Sequence, residues 1–404
     1  MEIPAIIGGI PIRSTPLFYG HQYIDEDDVA AVAQTMYHDL TCGPEIGKTE
    51  QALCEATGAK YCVLVSSGTA ALHIAAMAAG ISPGDEVIVS SITFAASANC
   101  VLYCGGTPIF ADIDKDTYNI DPADVKRKIT PQTKAVIAVD FTGQVVDIAA
   151  LREWCSTYGL LLIEDAAHSL GSRYNGKRVG SLADMTTFSF HPVKTITGGE
   201  GGAVTTNDPL LYEKLLLART HGITRDRALM EHPSEDPWYN EQISLGYNYR
   251  ITDIQAALIR SQLQKLPLFS ARRKEICARY NEAFHSIPEL IIQREIPESD
   301  TVRHLYILRL RLSKLTCTRR EFFDALCAEG IHPQVHYLPV YWHSYYEKLG
   351  YKKGLCPHSE EYYHEVMSLP LYYSLTDQDV SDCIAAVRKL ISYYRNQERV
   401  PIID

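Results

Sequence analysis

Between about residue 60 and residue 207 the chain alternates short apolar, β-branched runs with helix-like stretches, and this alternation constrains the fold more than any other feature. Seven runs carry it: Tyr61–Ser66, Glu86–Ser90, Pro108–Ile113, Ala135–Asp140, Leu160–Glu164, Thr186–Phe190 and Gly202–Thr206. Between them lie Thr69–Ala79, Ala95–Tyr103, a helix opened by Asp121-Pro122, and Ala149–Tyr158. Continuous apolar strands separated by helices need cover on both faces, which predicts an α/β fold with a mostly parallel seven-stranded sheet and helices on both sides. Ligands of such open sheets bind outside the carboxyl ends of the strands. Here the runs end in polar or special groups: Ser66-Ser67-Gly68, Ser90-Ser91, Asp112, Asp140, Asp165 and Ser189.

The rest of the chain narrows the class. Thirty-eight basic and 49 acidic side chains leave a net charge of −11, which repels phosphate-rich polymers and anionic lipid surfaces, so neither nucleic acid nor membrane is an expected partner. A small anion in a local pocket remains compatible. The 11 cysteines include no CxxC pair, and no metal site or disulfide framework is expected. The start, Met1-Glu2-Ile3-Pro4, lacks the basic and apolar regions of a signal peptide, and no apolar run approaches the ~20 residues of a membrane span. The expectation is a reduced, cytoplasmic protein.

Beyond Ile251 a long helical stretch, interrupted at Pro267, leads towards a second region. Leu305–Leu312 reads as a strand, Thr318–Ala328 as a helix, Pro333–His336 as a strand and Ala385–Tyr394 as a final helix. These predict a large domain over 1–260 with an N-terminal arm, and a smaller α+β domain over 261–404. The last 70 residues are crowded with tyrosine, which suits aromatic packing at an interface or, alternatively, a sugar-stacking surface.

Three segments could carry chemistry. Ser66-Ser67-Gly68-Thr69 joins a strand to a helix, where backbone N–H groups and the helix dipole favour an anion. Taken alone it is a plain N-cap. Glu164-Asp165-Ala166-Ala167-His168-Ser169 puts Asp165 at the end of a buried strand, where a carboxylate needs a cation or donor. Alone, Asp165 could simply cap a loop. Phe188-Ser189-Phe190-His191-Pro192-Val193-Lys194 leads into a glycine-rich run, and a lysine held there can form a Schiff base with an aldehyde. Alone, Lys194 is a solvated surface residue. Together the three match the needs of pyridoxal 5′-phosphate (PLP): donors for the phosphate, a carboxylate for the pyridine nitrogen, and an amine for the aldehyde carbon.

The sequence resembles the DegT/DnrJ/StrS-type sugar-nucleotide aminotransferases, fold-type I PLP enzymes, over about residues 15–395. The segments that carry the resemblance are SSGTAAL (66–72), GDEVI (84–88), ITFAASAN (92–99), IEDAAHSLGS (163–172), FSFHPVKTITGGEGGAV (188–204) and GYNYRITDIQAAL (246–258). The resemblance implies that Lys194 binds PLP covalently and moves protons during catalysis, and that Asp165 partners the pyridine nitrogen. It implies phosphate ligation by Gly68, Thr69 and Ser189, an aromatic ring from Phe94 stacked on the cofactor, and His168 on the other side. It further implies that Asn248 reaches the phosphate of a neighbouring subunit, so that a homodimer shares its active sites, with Arg250 near the interface. Tyr247, Tyr249 and Arg250 would otherwise read as a helix-entry packing motif.

Within the family, Val139–Gln144, Arg303–Tyr306 and Ile331–Tyr341 resemble the branch that makes a pseudaminic-acid precursor, although His332 and Gln144 depart from the residues expected there. That branch aminates C4 of a UDP-linked 4-keto-6-deoxy-N-acetylhexosamine with L-glutamate as donor. The candidate substrate contacts are His336, Tyr337 and Arg250. Lys194 argues against the related sugar 3-dehydratases, which resemble this family but carry histidine at that position. SSGTAAL does not supply the GxGxxG of a nicotinamide-dependent oxidoreductase. A non-catalytic sugar-nucleotide-binding homologue is the alternative from another class.

Overall fold

The computed structural model describes residues 2–395, so Met1 and the end of the expected 261–404 domain, residues 396–404, lie outside the described residues. All seven expected runs form one sheet: β1 (Tyr61–Val65), β2 (Glu86–Ser90), β3 (Thr107–Ala111), β4 (Thr133–Val139), β5 (Leu161–Asp165), β6 (Met185–Ser189) and β7 (Gly202–Thr206). Their order across the sheet is β1-β7-β6-β5-β4-β2-β3. Neighbours from β6 through β3 are parallel, whereas β7 runs antiparallel to both β1 and β6. The cause is local. Parallel strands need a crossover, but β6 and β7 are joined only by a returning loop, residues 190–201, which reverses the chain direction. That loop carries Lys194, so the exception to the parallel pattern sits at the site.

The strands are buried along nearly their whole length, as two-sided cover requires. On one face lies the helix Gly68–Ala78, whose alanines let its backbone approach the sheet closely and whose first turn is capped by Ser67 accepting from the Ala70 N–H. The helix Asp253–Gln264 packs against Glu26–Thr35 and Pro44–Thr57. The division expected between residues 260 and 261 therefore falls inside a continuous helix.

Further along, β8 (Leu290–Ile292), β9 (Tyr306–Leu310) and β10 (Val366–Leu369) form an antiparallel sheet in the order β8-β9-β10. The helices Leu266–Phe284, Arg319–Ala328 and Asp377–Tyr394 bury Tyr280, Phe322, Leu326 and Leu390 beside it, with Leu17 from the N-terminal arm. Burying each such side chain stabilises by ~1.5–3 kcal/mol.

Two expectations are corrected here. The strand placed at Pro333–His336 is realised only as Ile331–His332, paired with Leu17–Phe18. Pro333 has no N–H to extend the ladder, and Gln334 makes only an isolated bridge to Ser368. The last helix begins at Asp377 rather than Ala385, because Thr376 and Asp379 form a reciprocal capping box. Most of the C-terminal tyrosines serve packing. Tyr346 is buried against Phe110 and donates to Asn99 Oδ1 at 2.7 Å, and Tyr373 packs on Tyr23 and Phe269.

Candidate active site

A cavity of about 570 Å³ opens at the carboxyl ends of β1, β4, β5 and β6. Its lining brings together Gly68, Thr69, Phe94, Asp165, His168, Ser189, Lys194, His336 and Tyr337 of the residues expected from sequence. Asn248 and Arg250 are not among its walls. Asn248 is exposed and bridges Thr220, and Arg250 is half-buried.

One wall is built from strand ends. Gly68 opens the helix after β1, and a Cβ on it would meet the Ser189 Cβ at 2.8 Å, so only glycine lets the turn and β6 come this close. First-turn N–H groups have no acceptor inside their helix, and the Ser189 hydroxyl faces the same space. Asp165 ends β5 and is buried. Its Oδ2 accepts from Ser97 Oγ at 2.7 Å and its Oδ1 from the Ala167 N–H at 3.1 Å. Burial raises its pKa, against the lowering by Ser97, Ala167 and Lys194. Lys194 is half-buried in the returning loop, which is pinned by Lys194 N–H to His191 O and Gly198 N–H to Phe190 O, both 2.9 Å. Crowding around its ammonium lowers the pKa to about 8, while the charge of Asp165 opposes that shift.

The other wall is aromatic and neutral. Phe94 is 63% exposed although large and apolar, which leaves its ring free to cover a ligand at the rim. Its ring lies 6.3 Å from that of Tyr337. Tyr337 Oη reaches His168 Nε2 at 3.5 Å. His336 Nδ1 meets Ser368 Oγ at 2.7 Å, and burial pushes its pKa down to about 3. His168 is also driven well below the ordinary imidazole range, by burial and then by the charge of Lys194.

Among the lining residues that were not assigned a role from sequence, Ser97 and His304 stand out. Ser97, which orients Asp165, stood within the ITFAASAN segment, four residues after Thr93, with which it shares a 2.8 Å hydrogen bond. His304 reaches the cavity from the segment before β9; it belongs to the Arg303–Tyr306 segment singled out above, which did not by itself place it in the wall.

Residues 22–388 match the DegT/DnrJ/EryC1/StrS aminotransferase family, and the chain belongs to it. The spore coat polysaccharide biosynthesis protein SpsC of Bacillus subtilis is 41% identical over 382 residues, 94% of this chain and 98% of that one. The UDP-4-amino-4,6-dideoxy-N-acetyl-beta-L-altrosamine transaminase of Campylobacter jejuni is 37% identical over 365 residues, 89% of this chain and 94% of that one. Among solved structures, Helicobacter pylori PseC, an aminotransferase of pseudaminic acid biosynthesis, superposes with a TM-score of 0.87 at 33% identity, over 94% of this chain and 100% of that one. The PLP form of the sugar aminotransferase Spr1654 of Streptococcus pneumoniae superposes with a TM-score of 0.85 at 29% identity, over 94% and 99%. No helix among the described residues is long and apolar enough to cross a membrane.

Proposed function

We propose that the protein transfers the amino group of L-glutamate to the C4 keto group of a UDP-linked 4-keto-6-deoxy-N-acetylhexosamine, with PLP held covalently at Lys194. The product is UDP-4-amino-4,6-dideoxy-N-acetyl-β-L-altrosamine. The observation that carries this is the meeting of Lys194 and Asp165 in one cavity with a glycine-walled anion turn.

The residues present fit the cofactor. Asp165 is a buried carboxylate whose neighbours are a hydroxyl, an N–H and the Lys194 ammonium, so a protonated ring nitrogen would complete its surroundings. Gly68, Thr69 and Ser189 supply N–H and hydroxyl donors for a phosphate, and Phe94 and His168 present rings. When bound, PLP supplies an aldehyde that carries the amino group and a ring that withdraws electrons from the reacting carbon. Lys194 Nζ takes the proton from the donor's α-carbon and delivers one to C4 of the sugar. Its lowered pKa suits this work, because the base is available unprotonated near neutral pH. Asp165 keeps a proton on the ring nitrogen by presenting a charged acceptor. Tyr337 and the neutral His336 offer hydrogen bonds to sugar hydroxyls without adding charge.

The Campylobacter and Helicobacter relatives support the choice of sugar. A second reading, another nucleotide sugar aminated by the same chemistry, is favoured by the 41% identity to SpsC, above the 37% of the altrosamine transaminase. We further propose a cytoplasmic homodimer with shared sites, in which Asn248 and Arg250 serve a second copy. Their positions outside the cavity and the exposed Trp238, Leu245 and Tyr247 nearby support this. The same proposal keeps residues 1–260 as the cofactor-binding part and 261–404 as the smaller part. The test is incubation of the PLP-loaded protein with L-glutamate and separated C5 epimers of the UDP-linked 4-keto sugar, followed by mass spectrometry. Amine formation from the β-L-arabino epimer is expected. Turnover of other ketosugars alone would move the assignment to the second reading.

A further inference from the structure

Arg273 is among the largest fully buried side chains, and among the described residues its buried guanidinium meets the Cys277 thiol, not a carboxylate. Buried charges are ordinarily paired, because leaving water costs several kcal/mol that a counter-ion must offset. Arg273 instead spends one nitrogen on backbone carbonyls, with Nη1 donating to Leu371 O at 3.0 Å, His304 O at 3.3 Å and Arg303 O at 3.4 Å. Its Nε has no partner. The guanidinium therefore fastens the segment that carries His304, an imidazole whose pKa burial pushes well below the ordinary range, with a smaller push from the Arg273 charge.

His304 is held from the other side as well. Its N–H donates to Thr142 O at 2.8 Å, in a turn where Thr142 takes φ +66°. Gly143 follows with φ +105°, and a Cβ there would come within 2.2 Å of Val302 O and 3.0 Å of His168 O. Three chain segments thus meet with no room for a side chain between them. At this junction the His304 ring lies 4.5 Å from the His168 ring, and the Nδ1 atoms of both are buried without a partner. No hydrogen bond fixes Nδ1 of the His168 ring. Its neighbours are His304, Phe141 at 6.0 Å and the Tyr337 hydroxyl.

We propose that Arg273 and His304 are positioning residues: the guanidinium fixes the backbone of His304, and the His304 ring, tilted against His168 at 4.5 Å, sets where His168 stands in the cavity wall. The contact with cofactor is made by His168 and rests on the function proposed above, whereas the placement of His168 does not. Ring–ring contacts of this kind correspond to about twofold to tenfold in an equilibrium.

The experiment compares His304→Ala, His304→Phe, Arg273→Met and Arg273→Lys in the full-length protein. Two quantities are read: the His168 resonances of selectively isotope-labelled, ligand-free protein, and the equilibrium retention of PLP by visible absorbance. His304→Ala is expected to displace the His168 signal and weaken PLP retention about threefold to tenfold. His304→Phe, which keeps a ring without the nitrogens, is expected to restore both. Arg273→Met should displace the His168 signal and Arg273→Lys should recover part of it. Unchanged His168 signals in His304→Ala or Arg273→Met overturn the proposal, and so does a Phe variant as impaired as the Ala variant. Should His304→Ala not fold, the Phe variant decides, with a native-like His168 signal in support and a displaced one against. If the unaltered protein retains no PLP, the proposed function fails while the resonance comparison still tests the positioning.

Discussion

The two walls of the cavity are made by different means. The wall that holds Gly68, Asp165, Ser189 and Lys194 consists of strand ends and the turns directly after them, so each residue is placed by the element it terminates. The other wall adds His304, His336 and Tyr337 from the C-terminal third to Phe94 and His168, and is pinned by contacts remote in sequence. His336 is oriented by Ser368, 32 positions on, and Tyr337 touches His168 across 169 positions. On the proposed function, the first wall would set which bonds can change, because it holds the amine, the carboxylate and the glycine-walled turn, and the second would set which molecule is presented to them. Damage to the first should therefore abolish chemistry, and damage to the second should shift affinity.

The largest expected effect is that of Lys194→Ala. It should lower turnover by at least about 10⁴-fold, the upper range for loss of a general base, while circular dichroism and thermal midpoint stay near wild type. Turnover surviving in this variant would remove the distinction between the walls. Gly68→Ala comes next. The added methyl meets Ser189 at 2.8 Å, so the turn or β6 must shift, at a cost of ~1–3 kcal/mol, and PLP affinity should fall about tenfold or more in a titration of the apo protein. Ser368→Ala acts on the far wall only. Loss of one buried hydrogen bond, ~1 kcal/mol, should raise the KM for the sugar nucleotide about fivefold and leave kcat nearly unchanged. An equal fall in kcat would place His336 with the reacting groups instead.

Glu164 should matter least for activity. It precedes Asp165 but turns to the other face of β5, where Oε2 accepts from Thr186 Oγ1 at 2.8 Å and burial beside Asp140 pushes its pKa up. Between its unfolded and its raised folded pKa the folded chain holds a proton that the unfolded chain has released, so the Glu164–Asp140 pair makes stability fall as pH rises above the ordinary carboxylate range and level off beyond the raised pKa. Denaturant titrations across that range should show the slope diminished in Glu164→Gln, with activity close to wild type.

The same contrast explains what could be read from the sequence. The seven apolar runs predicted the central sheet because strands buried on both faces leave an unbroken apolar signature. Gly68, Asp165, Ser189 and Lys194 were legible because each lies at the end of such a run or within four residues after it. The antiparallel β7 was not, since reversal depends on how the Lys194 loop folds back and not on any residue in the strand. Ser97 was partly legible from its spacing to Thr93. His304 was legible only within the Arg303–Tyr306 segment, and its approach to His168 was not, because that is set by the tight junction at Gly143 and by Arg273. The late start given to the final helix is a different kind of miss, because the cap Thr376-x-x-Asp379 stood in the sequence.

The central claim is that Lys194 is the covalent anchor of the cofactor. The direct measurement is to load the protein with PLP, reduce it with borohydride, digest it and locate the added phosphopyridoxyl mass by tandem mass spectrometry. The account predicts that mass on the peptide containing Lys194, and its absence from that peptide after L-glutamate is added before reduction. The mass on another lysine, or its persistence on Lys194 despite L-glutamate, would contradict the account.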